Sequence, residues 1–100
     1  MKKQLVQFNF SGMTEKQYDQ IMDEFRRTGH TDIPGRIHHV STIQNNGVQV
    51  IGVWESREHF DDFNGKILQP ILNKLGVRQV QPTITPVYYE YSGVKVKVNQ

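Results

Sequence analysis

Residues 36–54 read Arg-Ile-His-His-Val-Ser-Thr-Ile-Gln-Asn-Asn-Gly-Val-Gln-Val-Ile-Gly-Val-Trp. Two β-rich runs, 36–44 and 48–54, flank Asn46-Gly47, the dipeptide best suited to a two-residue type I′ turn because both of its positions need positive φ. The stretch therefore predicts a β-hairpin. With Asn46 and Gly47 as the turn, Asn45 pairs with Val48, Ile43 with Val50, Ser41 with Gly52, and His39 falls opposite Trp54; a shifted turn would instead bring His38 beside Trp54. Strand alternation puts Ile37, His39, Ile43, Val48, Val50 and Trp54 on one face and Val40, Ile51 and Val53 on the other.

Outward from the hairpin, four more elements follow from periodicity. Residues 4–10 alternate as a strand, with Val6, Phe8 and Phe10 on one side and Leu5, Gln7 and Asn9 on the other. Thr14 with Gln17 has the form of a capping box; Tyr18, Ile21, Met22 and Phe25 follow at helical spacing, and Gly29 is placed to stop the helix. Ser56 caps a second helix carrying Phe60, Phe63, Ile67, Leu68, Ile71, Leu72 and Leu75, closed by Gly76, with Pro70 expected to kink or divide it. Thr83–Tyr91 reads as a last strand, which Pro82 and Pro86 direct to a sheet edge. The alternating Val/Lys tail from Val94 to Val98 suits either a lysine-guarded edge strand or an arm reaching a partner. The order β-α-β-β-α-β predicts an α+β, ferredoxin-like domain: a four-stranded antiparallel sheet with both helices on one face.

Composition narrows what such a domain does. One hundred residues suit a single domain, 1–100, with one core. The mean hydropathy of −0.60 is that of ordinary globular material. The absence of cysteine excludes disulfides, cysteine zinc sites and thiol nucleophiles. Although the pI is about 9.0, the twelve Lys and Arg are scattered among ten acids, without the clustering that a nucleic-acid surface needs. Neither a signal-like apolar run nor a membrane-length one is present, so a cytoplasmic protein is expected.

Counting faces points to a partner. Two helices cover one face of the sheet, yet the hairpin and the first and fourth strands are apolar on the other as well. Soluble monomers seldom leave such a face open, and the economical cover is the same face of a second copy, which predicts a homodimer; the alternative is a monomer with an exposed sheet.

Pro34-Gly35-Arg36-Ile37-His38-His39-Val40 and Val53-Trp54-Glu55-Ser56, leading to Phe60 and Phe63, resemble the dimeric α/β-barrel superfamily that includes the antibiotic-biosynthesis-monooxygenase-like proteins. The likeness spans most of residues 4–91. It implies a ferredoxin-like homodimer and, among several activities, cofactor-independent oxygenation of a small aromatic molecule, without a cofactor or a metal. In the haem-degrading branch an Asn on the first strand, a Trp ending the third and a His about three helical turns beyond it recur. Asn9 and Trp54 fit the first two, while His59, only five residues after Trp54, does not fit the third.

The resemblance and the hairpin together single out His39 as the candidate catalytic group, with Trp54 and Asn9 as candidate substrate-binding residues in a pocket between sheet and helices. Imidazole titrates near neutrality and an indole makes one wall of a pocket. The same residues also have structural readings: His39 as a buried histidine bonded to backbone, Trp54 as a core or dimer anchor, and Asn9 as a strand-ending residue bonded to main chain. His38 and His39 point to opposite faces and cannot share a metal within one subunit. No phosphate loop, nucleophile elbow or His-Glu-x-x-His spacing is present. A cofactor-free monooxygenase-like enzyme and a non-catalytic ligand-binding or stress-related homodimer both remain compatible with the chain.

Overall fold

The computed structural model describes residues 2–93. The elements run β1 (Gln4–Ser11), α1 (Glu15–Arg27), β2 (Arg36–Gln44), β3 (Gly47–Trp54), α2 (Arg57–Phe63), a π-helical turn (Asn64–Leu68), α3 (Gln69–Lys74) and β4 (Thr83–Pro86). The sheet is antiparallel throughout, in the order β2-β3-β1-β4, and the chain is α+β and ferredoxin-like. The expected tail strand or arm, Val94–Val98, lies outside the described residues. Among those residues no helix is long and apolar enough to cross a membrane.

Local sequence sets the helix ends. The Thr14 hydroxyl accepts the Gln17 N–H at 3.1 Å, and the Gln17 side chain accepts the Thr14 N–H at 3.0 Å, which completes the capping box. At the other end Gly29, at φ 81°, lets His30 N–H reach the Phe25 carbonyl (2.8 Å) and its own N–H reach Arg26 (3.1 Å). These two bonds satisfy carbonyls that the last turn would otherwise leave open. Pro70 has no N–H to return to the preceding turn, and the helix divides ahead of it: residues 64–68 widen into a π turn before α3 resumes with Pro70 in its first turn.

The core lies between the helices and one face of the sheet, with Val6, Phe8 and Phe10 from β1 against Ile21 and Phe25 of α1 and Phe60, Phe63 and Leu72 from the second helical region. Glu24 ties the two helical layers together. Its carboxylate accepts from Arg27 Nε (3.2 Å) and from Lys74 Nζ of α3 (2.6 Å), and these bonds, Arg27's first, hold its pKa down at about 2 from an ordinary 4.5. A carboxylate lowered in this way stabilises the fold above its unfolded pKa and loses that contribution as pH falls through the folded one. Wild type is therefore expected to lose more stability than Glu24→Gln between pH 4.5 and 2, measured as the difference between their chemical denaturation curves across that range.

Two expectations about the strands are corrected. The hairpin turns at Asn45-Asn46, so that Gln44 pairs with Gly47, Ile43 with Val48, Ser41 with Val50 and His39 with Gly52. Neither His39 nor His38 faces Trp54. Gly47 serves packing across the sheet more than the turn: a Cβ there would sit 2.6 Å from the Phe10 carbonyl oxygen. A β-bulge at Ile37 then skips one residue and sets Arg36 opposite Trp54. The last strand ends at Pro86 instead of Tyr91, because Pro86 pairs with Gln4, the first residue of β1, and beyond it there is no strand left to pair with. Val87 N–H closes on the Lys3 carbonyl at 2.9 Å. The chain then bends across the end of the sheet, where the Glu90 carboxylate meets Lys3 Nζ at 2.7 Å and His38 Nε2 at 2.9 Å.

Candidate functional site

Beneath the indole of Trp54 the core is not quite filled. Phe8 and Val50 of the sheet, Met22 and Phe25 of α1, and Phe60 and Phe63 of α2 line a partly open apolar cavity of about 50 Å³ whose polar lining is Arg36 and His39 on β2. Trp54, buried at the end of β3, packs against Phe63 (ring centroids 5.1 Å) and Phe60 (5.6 Å). Its indole folds back over Gly52, where an added Cβ would lie 3.1 Å from Nε1. Gly52 is in turn the ladder partner of His39, so the indole and the imidazole lie on the same side of the sheet at one glycine. No hydrogen bond engages that N–H among the described residues.

A polar cluster stands at the edge-strand side. The Tyr18 hydroxyl, from α1, lies 3.2 Å from His39 Nε2 and is hydrogen-bonded to Ser41, whose Oγ is 3.4 Å from the same nitrogen. His39 is exposed at the rim of the cavity, and partial desolvation there, with the charge of Arg36 second, holds it below the usual histidine pKa. The ring is therefore neutral at pH 7, and assigning the proton to Nδ1 leaves Nε2 to accept from Tyr18, the arrangement of a base kept ready by a hydroxyl. Burial also pulls down the pKa of Arg36, though a guanidinium remains charged.

The sequence-derived candidates separate. His39 and Trp54 line the same cavity. Asn9 does not: it is exposed on the far side of the sheet, where its Oδ1 accepts from Gln49 Nε2 at 3.3 Å. Of the other histidines, His38 points to that far side, as its adjacency to His39 requires, and His59 Nδ1 is 2.8 Å from the Ser56 hydroxyl at the start of α2. Three residues enter the site that the sequence did not nominate. Tyr18 reads as core-facing helix, Ser41 shares the face of His39 by alternation, and Arg36 joins only because of the bulge. Among the described residues no group of three or more His, Cys, Asp or Glu could hold a metal ion.

A closed cavity of about 150 Å³ is enough to take a benzene ring. This one is smaller but partly open, and Met22, half-buried and unbranched, is the wall that re-packs most easily to enlarge it.

No protein-family model matches this chain, and no curated protein is similar to it in sequence. Solved structures are similar in fold. A protein assigned as an antibiotic biosynthesis monooxygenase, from Chloroflexus aurantiacus J-10-fl, superposes with a TM-score of 0.63 at 13% identity over 90% of this chain and 97% of its own. SnoaB, a cofactor-independent oxygenase from Streptomyces nogalater, gives 0.59 at 14% identity over 93% and 98%, and a variant of it gives 0.58 at 11% over 92% and 96%. The chain shares the fold of these proteins. At these identities the likeness is one of fold, and chemistry has to be argued from the cavity itself.

Proposed function

We propose that this chain is a homodimeric, cofactor-independent oxygenase of a small aromatic molecule, with His39 as general base and Trp54 as the wall against which the ring packs. The observation that carries the reading is a neutral imidazole, poised by Tyr18, at the edge of an apolar cavity in a fold shared with a cofactor-independent oxygenase. Without a cofactor the substrate itself must reduce dioxygen. The balanced reaction is an activated ring methylene plus O₂ giving a ring ketone plus water: the methylene carbon supplies four electrons, one oxygen atom becomes the carbonyl, and the other leaves as water with the two hydrogens. His39 takes the first proton, and the resulting carbanion, conjugated with the ring, meets oxygen against the apolar wall of the cavity. The second reading is a non-catalytic ligand-binding homodimer; it is favoured by the small volume of the cavity, about 50 Å³, where the oxygenase reading has to hold both a ring and dioxygen.

The homodimer rests on the sheet face away from the helices. Leu5, Ile51 and Val53 are only half-covered there and Val40 is 55% exposed, while Tyr88, Tyr89 and Tyr91 stand exposed on the segment that leaves β4. A second copy laid against this face would bury them, and Ile51→Lys, which puts a charge in the middle of it, is expected to yield a monomer by light scattering while keeping the far-UV spectrum. Thermal shift of the dialysed wild-type protein against flavin, haem and hydroxylated aromatics tests the ligand class. A rise with an aromatic alone supports the oxygenase, and indifference to all of them moves the protein to the non-catalytic reading.

A further inference from the structure

The cavity holds a positive charge with nothing opposite it. Arg36 is half-buried at its edge, and none of the ion pairs among the described residues includes it. Glu55 lies toward His59 (4.0 Å), Glu24 is held by Arg27 and Lys74, and Asp32, four residues before Arg36, forms no ion pair with it. A guanidinium partly withdrawn from water and without a counterion carries a desolvation cost that an anion brought to it would offset. Its backbone is nevertheless held firmly. Arg36 N–H donates to the Ile33 carbonyl (3.2 Å), Glu55 N–H donates to the Gly35 carbonyl (2.8 Å), and the bulge at Ile37 turns Arg36 to the helix side of the sheet, opposite Trp54. The unengaged Trp54 N–H is a second donor on the same side. Two donors, one charged, beside an apolar cavity and without a protein acceptor among the described residues describe half of an anion site.

We propose that the cavity's ligand is an aromatic ring bearing one ionised oxygen, a carboxylate or an enolate-type oxygen such as a phenolate, held against Arg36 and the Trp54 N–H. This rests on reading the cavity as a ligand site and goes beyond it in fixing the ligand's charge. In the oxygenase reading the same contact would hold the negative charge that appears on oxygen when His39 removes a proton, so that Arg36 would set both which ring is accepted and how acidic it becomes.

The test uses the wild-type protein and three one-ring probes in calorimetric titration: benzoate, benzamide and 4-nitrophenol. Benzoate is expected to bind about tenfold or more tighter than its neutral isostere benzamide, the least that a charge-assisted hydrogen bond contributes. Bound 4-nitrophenol is expected to ionise at lower pH than free, read from the visible absorbance of its anion. Arg36→Met, which keeps the aliphatic stem and discards an unpaired charge, is expected to melt no earlier than wild type and to lose both effects, while Arg36→Lys recovers part of them. Benzoate preference without the nitrophenol shift assigns the carboxylate; the shift without the preference assigns the enolate-type oxygen. Equal binding of benzoate and benzamide with no nitrophenol shift overturns the proposal and leaves the ligand cavity standing. Binding of none of the three overturns both.

Discussion

Trp54→Ala is expected to lower the unfolding free energy by about 3–5 kcal/mol, the cost of removing a large aromatic from a packed core. The indole is 3% exposed and touches both Phe60 and Phe63, so its loss joins the existing void to a new one between the sheet and α2. Chemical denaturation at fixed protein concentration measures this, since a dimer's stability depends on concentration. Trp54→Phe should recover most of the loss by refilling the space without restoring the N–H. A loss under about 1 kcal/mol would mean that the region collapses freely, and a cavity that collapses freely holds no preformed site.

The second large effect concerns His39. His39→Gln is expected to keep the fold and the dimer and to lower turnover about 10²–10⁴-fold, the usual contribution of a positioned general base. A stability signature should accompany it. Because partial desolvation holds the folded pKa of His39 below its ordinary 6.5, the unfolded chain binds the proton more readily, and wild type loses stability as pH falls from 6.5 toward the folded value. The variant lacks that loss. Melting temperatures of both proteins between pH 7 and 5 check this part, and turnover at pH 7 checks the other. A variant that loses the pH dependence but keeps its ligand response unchanged would make His39 a structural histidine at the rim of the core and nothing more.

How far such a site is written in the sequence depends on the range of the contacts that build it. The α1 cap needs only Thr14, Gln17 and Gly29, all within one helix and its ends, and its residues announce it. The hairpin is equally legible as an element, but its register is not, because the demand for glycine at position 47 comes from the Phe10 main chain on another strand. Alternation through Tyr91 suggests a long β4, whereas the ladder stops where β1 begins, at a residue that no local pattern marks. Pro82 and Pro86 do place β4 correctly at the edge.

Within the site, period-two alternation already sets His39 and Trp54 on the helix side, and the register error leaves that parity intact. It also sets Asn9 with Leu5 and Gln7 on the outer side; the expectation that Asn9 lines the pocket comes from the family resemblance and not from alternation. Arg36 is the converse case. It lies three residues before His39, and strict alternation would send it to the opposite face. The bulge at Ile37 restores it to the cavity, and a bulge is a property of the paired strands that neither strand announces alone.

The most direct test of the oxygenase account is oxygen uptake by the dialysed wild-type protein, with no flavin, metal or reductant added, in the presence of anthrone, whose ring methylene can supply all four electrons. The account predicts consumption of one O₂ per anthraquinone formed, faster than the uncatalysed reaction and abolished to background in His39→Gln. Uptake that never exceeds background, or that is the same in wild type and His39→Gln, would contradict it.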